Sequence, residues 1–101
     1  MSENLMNLVK IIRNSKNKDE EKSYTSSLLS GGLSKCIDKM DEEFVELKEA
    51  LNNKSNVVHE AADTIYHILV TLEMVNIKFE DVLKELENRK KQSGIEEKNN
   101  R

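Results

Sequence analysis

The chain has 101 residues, no proline, three glycines, a single cysteine and a formal charge of −3. That length holds one domain with a modest core, and the acidic balance excludes a broad nucleic-acid or anionic-membrane surface, which needs clustered positive charge. A lone cysteine and two histidines exclude a disulfide framework and disfavour structural zinc. With no apolar run near the ~20 residues of a membrane span and no signal-peptide pattern, they point to the cytoplasm.

Abundant Lys, Glu and Leu with 4% aromatics predict an all-α chain without internal repeats. The first helix covers about Glu3–Arg13, with Leu5, Leu8, Val9 and Ile12 on one face, Ser2 as candidate N-cap and Glu3 suited to the first turn. Ser15 to Lys22 is highly charged and reads as a solvated linker. Ser23-Tyr24-Thr25 opens a short helix that Gly31-Gly32 ends. A long helix follows from about Leu33 to Asn52. Leu33, Ile37, Met40, Phe44, Leu47 and Leu51 recur at spacings of four and three and predict a buried stripe. Lys39, Glu43 and Glu46 line one flank of it, with Lys39 and Glu43 placed to pair; Glu42 and Glu49 face water.

Asn52-Asn53-Lys54 predicts a turn, and Ser55 a cap for the next helix, which reaches about Val75. Val58, Ala61, Ala62, Ile65, Ile68, Leu69 and Leu72 cover much of its circumference, as in the central helix of a bundle. The remaining strip starts with Glu60, Asp63 and His67 and turns apolar at Val70 and Met74. Its acidic end therefore reads as a polar pocket cut into a buried surface. Asn76-Ile77-Lys78 is the next turn, with Asn76 suited to a left-handed conformation and Lys78 a poor N-cap. Phe79, Val82, Leu83 and Leu86 define a last helix to about Lys91, with Glu80 and Asp81 well placed at its start. Residues 93–101 read as a polar, frayed tail, which leaves residues 1–92 as the domain.

The chemistry lies in two acidic pairs. Glu43 with Glu46, and Glu60 with Asp63, are each three apart and share a helix face. If the two helices pack antiparallel, four carboxylates converge and repel one another unless a cation lies between them. An all-oxygen ligand set suits a hard ion such as Mg²⁺. The plainer reading of each pair is a solvated helix face. Their closeness to one turn, and the apolar character of the second helix, favour a shared site. His67, one turn beyond Asp63, has three candidate roles: assisting a metal-bound water, contacting phosphate, or orienting a carboxylate, against the plainer reading of a hydrogen-bonded histidine with a supporting role. His59 lies off that strip, at the surface. Lys35, Lys39 and Arg89 are candidate phosphate-holding cations, against the alternative of ordinary surface charges. Tyr66 reads as core with a partnered hydroxyl, and Cys36 as a small packed residue.

Taken in order, Ser23-Tyr24-Thr25, Lys39, Glu42-Glu43-x-x-Glu46, Glu60-Ala61-Ala62-Asp63, Tyr66-His67 and Glu80-Asp81-Val82 through Glu85-Leu86-x-x-Arg89 resemble the phosphoribosyl-ATP pyrophosphohydrolase family. The resemblance spans about Ser23 to Arg89 and departs from the family pattern at Asp41 and Asn76, where glycine is usual. It implies a four- to five-helix, dimer-forming bundle of the all-α nucleoside-triphosphate pyrophosphohydrolase type. The implied reaction is Mg²⁺-dependent hydrolysis of phosphoribosyl-ATP to phosphoribosyl-AMP and pyrophosphate, the second step of histidine biosynthesis. It further implies Glu43, Glu46, Glu60 and Asp63 as metal ligands, Glu46 or Glu43 in catalysis, and Lys39, Lys35, Ser23, Thr25, His67 and Arg89 at the substrate. The competing readings are a related pyrophosphohydrolase acting on other nucleotides and a non-catalytic helical interaction module.

Overall fold

The computed structural model describes residues 2–15 and 24–90. The Ser2 side chain, most of the expected linker with Ser23, and the expected tail lie outside the described residues. Among those described, every element is helical: α1 (Ser2–Asn14), α2 (Tyr24–Ser30), α3 (Gly32–Asn53), α4 (Val57–Met74) and α5 (Phe79–Arg89). The all-α expectation holds, with element bounds within two residues of those read from the sequence.

The junctions follow from local chemistry. Gly32 sits at φ 87°, a conformation in which a side chain is strained, so α2 and α3 can meet without an intervening loop. The turn between α3 and α4 contains two left-handed residues, Lys54 and Asn56. Asn56, not Ser55, occupies the cap position of α4, and its side chain makes no cap hydrogen bond. Asn76 takes the expected left-handed conformation after α4. Lys78 precedes α5 in extended backbone and likewise offers no side-chain cap. Glu80 and Asp81 in the first turn of α5 compensate the exposed amide dipoles there.

α3 and α4 form the most extensive helix pair. Thr64 Oγ1 lies 3.3 Å from the Glu43 carbonyl, and Thr71 Oγ1 lies 3.5 Å from the Cys36 carbonyl. Seven residues forward on α4 thus match seven back on α3, so the helices run antiparallel in a heptad-like register. The face of α3 towards α4 is Cys36, Met40, Glu43, Leu47 and Ala50, all buried or half-buried.

This corrects the expected stripe. Met40 and Leu47 belong to the seam, whereas Leu33, Ile37, Phe44 and Leu51 lie on its flank and are exposed. The seam was obscured because it carries a glutamate in its middle and small residues near its ends.

The hydrophobic core gathers at one end of this hairpin. Val9 and Ile12 of α1, Leu28 and Leu29 of α2, Cys36 of α3, and Leu69 and Val70 of α4 are buried together, with Leu5, Met6, Leu8, Tyr66, Met74 and Phe79 packed around them. Each fully buried aliphatic side chain contributes about 1.5–3 kcal/mol, so this cluster anchors the fold. Arg13 ties α1 down by reaching Glu73 of α4 at 3.3 Å and Glu80 of α5 at 3.1 Å. Ser15, expected in the solvated linker, is buried instead, and its carbonyl accepts a 2.7 Å hydrogen bond from the Ser26 hydroxyl. The other end of the hairpin, towards residues 54–56, has no such cover. Val58 is 84% exposed there, and Phe44, Val45, Leu51 and Ile65 are also open, so α4 is less enclosed than its composition predicts.

Candidate active site

The acidic residues lie on the hairpin where α3 faces the first half of α4. Glu43 occupies a seam position and is therefore half-buried; Glu46, one turn on, is exposed. Antiparallel register brings Glu60 opposite them. Glu43, Glu46 and Glu60 each offer a carboxylate oxygen, and the three atoms lie within 4.8 Å of one another. A second group with the same spacing is formed by His59, Glu60 and Asp63. The four expected carboxylates are thus assembled as two overlapping sets joined through Glu60.

Thr64 holds the geometry. Buried between the two acidic pairs, its hydroxyl lies 2.8 Å from the Glu60 carbonyl and 3.3 Å from the Glu43 carbonyl, linking the backbones that carry them. Sequence reading missed Thr64, although a small polar residue next to Asp63 on a helix with two apolar sides was the available signal. His59 was also misassigned. It is exposed as expected, but its Nε2 lies 3.2 Å from Asp63 Oδ2, within the cluster and not apart from it.

Two oxygens in this cluster, Glu43 Oε2 and Glu60 Oε2, are inaccessible to solvent and have no hydrogen-bond partner. A buried polar atom left in this state is destabilising. Burial raises the Glu43 carboxyl above its ordinary value, and the charge of Glu46 raises it further. Burial likewise raises Glu60, followed by its hydrogen bond and charge interaction with Glu46. A cation among these oxygens would complete both sets of unmet interactions, so the donor set fits a hard divalent ion.

His67 is buried and fully engaged. Its Nδ1 lies 2.8 Å from the Asp63 carbonyl, which can only accept, so Nδ1 carries the proton. In the neutral ring Nε2 then accepts from the Tyr24 hydroxyl at 3.2 Å. Both nitrogens are committed, so His67 orients its surroundings and does not reach phosphate, one of the roles expected for it. The Thr25 hydroxyl is similarly turned inwards, buried and bonded to the Tyr66 hydroxyl, which removes it from the expected substrate contact. Tyr66 packs beside the core with its hydroxyl partnered, as expected. Tyr24, read in the sequence only as part of the Ser23-Tyr24-Thr25 motif and given no site role, is 57% exposed and stacks on Tyr66 with centroids 6.5 Å apart.

The candidate cations separate. Lys39 stands on α3 one turn before Glu43 but pairs with Glu42, at 3.2 Å, in place of the expected Glu43. Lys35 is exposed and lays its stem across Gly31, where any added Cβ would collide with it. Arg89 is at the far end of α5, bound to Glu85 at 3.4 Å and exposed. It is not assembled with the carboxylates, because α5 docks on the opposite end of α4. Cys36 is buried, with its thiol donating to the Leu28 carbonyl at 3.4 Å.

The family model described as phosphoribosyl-ATP pyrophosphohydrolase matches residues 5–90. A phosphoribosyl-ATP pyrophosphatase of Rhizobium etli (strain CIAT 652) is 39% identical over 99 residues, covering 96% of this chain and 92% of the relative. The enzyme of that name from Paracoccus denitrificans (strain Pd 1222) is 40% identical over the same shares of both chains. The one from Roseobacter denitrificans (strain ATCC 33942 / OCh 114) is 42% identical over 88 residues, 85% of this chain and 84% of its own. A helical hairpin that gathers Glu43, Glu46, Glu60 and Asp63, in a chain matched over nearly its full length, belongs to the phosphoribosyl-ATP pyrophosphohydrolase family.

Proposed function

We infer that this chain hydrolyses phosphoribosyl-ATP to phosphoribosyl-AMP and pyrophosphate in histidine biosynthesis, with Mg²⁺ held by Glu43, Glu46, Glu60 and Asp63. Beyond family membership, the observation that carries the reading is the pair of buried, unpartnered oxygens on Glu43 and Glu60. Bare carboxylates would repel a triphosphate. Bound Mg²⁺ supplies the positive charge that neutralises the phosphate oxygens as the pyrophosphate leaves.

The protein's own groups do the rest. Glu43, fixed in the seam, and Glu60, held by Thr64 through its backbone, are the anchoring ligands. Glu46 is the most open carboxylate of its set, so it is placed to orient the attacking water and accept its proton. Lys39 can exchange its exposed partner Glu42 for a substrate phosphate with little loss, since such surface pairs contribute only about 0–1 kcal/mol. Lys35, one turn earlier on α3, is a second phosphate cation. His67, clamped between Asp63 and Tyr24, keeps the α4 backbone and the Tyr24 ring in register with the carboxylates.

The same reading takes the active form to be a homodimer. Phe44, Val45, Leu51, Val58 and Ile65 leave the outer half of the hairpin apolar and open, and a second copy would cover it. Among the described residues no helix is long and apolar enough to cross a membrane, and the unpaired, buried Cys36 fits a reducing cytoplasm.

The decisive experiment measures pyrophosphate release from phosphoribosyl-ATP with and without Mg²⁺. Turnover that needs Mg²⁺ and exceeds that on dUTP and dCTP is expected. Faster turnover of those nucleotides would make the chain a general nucleotide pyrophosphohydrolase, and no release from any of them would leave a non-catalytic helical module.

A further inference from the structure

Cations that hold a triphosphate read what every nucleoside triphosphate shares, so preference for one nucleotide needs a group that reads the base. Two expected substrate contacts, His67 and Thr25, are turned inwards. Tyr24, at the start of α2, is not. It is exposed, yet its ring is fixed. The hydroxyl lies 3.2 Å from His67 Nε2, one side of the ring stacks on Tyr66, and His67 meets it edge-on with centroids 6.0 Å apart. Because His67 Nδ1 is bonded to the Asp63 carbonyl, these contacts tie the ring to the helix that carries Glu60 and Asp63. The charges that act on the phenol are those of Lys39, Glu43, Glu42 and Asp63, which places it beside both the candidate phosphate cation and the acids. An open aromatic surface already held in place loses little conformational freedom when a planar ligand settles on it. The other aromatic residues are committed elsewhere: Tyr66 and Phe79 pack against the core, and Phe44 lies on the apolar outer flank of α3. The plainer reading of Tyr24 is that its hydroxyl completes the hydrogen bonding of His67. That role needs the hydroxyl and leaves the exposed ring unused.

We propose that Tyr24 is a specificity-determining residue of this site, stacking its open ring on the purine base while the triphosphate lies towards Lys39 and the carboxylates. The proposal rests on the reading that the chain hydrolyses phosphoribosyl-ATP. Stacking occurs away from the phosphorus that reacts, so it stabilises bound substrate and transition state alike. Its loss therefore raises KM and leaves kcat nearly unchanged. Removing an aromatic platform from under a stacked base weakens binding by about fivefold to a hundredfold.

Steady-state kinetics on phosphoribosyl-ATP with Mg²⁺ compare the full chain with its Tyr24→Ala and Tyr24→Phe variants. Inorganic tripolyphosphate, which has no base, serves as the competing inhibitor. Tyr24→Ala is expected to raise KM about tenfold or more, with kcat within about threefold of wild type and the inhibition constant of tripolyphosphate unchanged. Tyr24→Phe, which keeps the ring without the hydroxyl, should return KM to within about threefold of the wild-type value. Should Tyr24→Ala fail to fold, tyrosine emission carries the test, since the chain has two tyrosines and no tryptophan. Saturating phosphoribosyl-AMP should quench that emission in Tyr66→Phe, where Tyr24 is the tyrosine that remains, and unchanged emission would overturn the stacking. An unchanged KM in Tyr24→Ala, a rise as large in Tyr24→Phe, or tripolyphosphate weakened as much as the nucleotide would overturn it too and leave the hydrolytic reading standing. A wild type that releases no pyrophosphate from phosphoribosyl-ATP would overturn both.

Discussion

Replacing Glu43 by Gln should stabilise the metal-free protein while abolishing its activity. Glu43 Oε2 is buried without a partner, and its carboxyl is raised by burial and by Glu46. At neutral pH the folded chain therefore carries a charge that water solvates better in the unfolded chain. An amide of the same shape removes that charge and can donate to Glu46. Unsatisfied buried polar groups cost roughly 1–3 kcal/mol, and Glu43 is only half-buried, so a gain of about 1 kcal/mol is expected. For a domain of this size that corresponds to a rise of about 4–8 °C in Tm. Saturating Mg²⁺ should invert the order. An ion at about 100 times its Kd adds roughly 2.7 kcal/mol to a protein that binds it, and E43Q, lacking a ligand, gains far less. Thermal melts followed by circular dichroism at pH 7, with and without Mg²⁺, measure both halves. If metal-free E43Q melts below the wild type, or if Mg²⁺ raises both equally, Glu43 is not a strained carboxylate awaiting a cation.

Thr64→Val keeps shape but loses the hydroxyl that links the Glu60 and Glu43 backbones; urea unfolding should show a loss of about 1 kcal/mol with an unchanged m-value. Its kcat should also fall more than its KM rises, because carboxylate spacing matters most in the transition state; parallel changes in the two would assign Thr64 to packing alone. The Arg13 guanidinium holds the Glu80 carboxyl below its ordinary value of 4.5, so Glu80 stabilises the fold above that value and ceases to as pH falls through its lowered one. The Tm advantage of wild type over Glu80→Gln should accordingly be present near neutrality and shrink below about pH 4.5; a gap that is constant down to about pH 3 would show the pair to be inert. Phe44→Asp combined with Val58→Asp should convert a dimer into a folded monomer by light scattering, and an unchanged mass would place the interface elsewhere.

The helices were legible because Gly31-Gly32, Asn52-Asn53-Lys54 and Asn76 give α2, α3 and α4 local reasons to stop, and because α1 and α5 carry single apolar faces. The rotation of α3 about its axis was not. The heptad run Cys36, Met40, Glu43, Leu47, Ala50 is less hydrophobic than the neighbouring run of Leu33, Ile37, Phe44 and Leu51, so apolar periodicity selects the wrong line. Periodicity reports which face leaves water; it does not distinguish a face covered by α4 from one left open within a single chain. The carboxylates were found by residue type and spacing, which sequence states directly. What their neighbours do was beyond it. Thr25 and His67 sit at family positions, yet hydrogen bonds to Tyr66, Tyr24 and the Asp63 carbonyl turn them away from an open site. His59 was placed off the acidic strip, yet its spacing of four from Asp63 puts the two on one helix face, where they meet.

The position of the acidic cluster in the fold follows from its chemistry. Four carboxylates cannot be enclosed in the core of α1, α2 and the far half of α4, where they would be dehydrated on all sides. On the outer half of the hairpin α3 and α4 face each other away from the core cluster, so Glu43 and Glu60 lose water from part of their surface while Glu46 and Asp63 stay within reach of substrate. The same openness explains why the seam there relies on a polar rung. The Thr64 hydroxyl ties α4 to the Glu43 carbonyl of α3 at a point where a larger apolar side chain would force the helices apart or displace the acids. A site built this way is held by two helices and a few hydrogen bonds, with its stabilising ion absent from the metal-free chain. It should therefore be the part of the molecule that opens first, and amide exchange along residues 43–64 should slow on addition of Mg²⁺ while exchange in the core around Ile12 and Val70 changes little. Equal protection of both regions in the metal-free chain would mean that the hairpin needs no ion to hold its acids together.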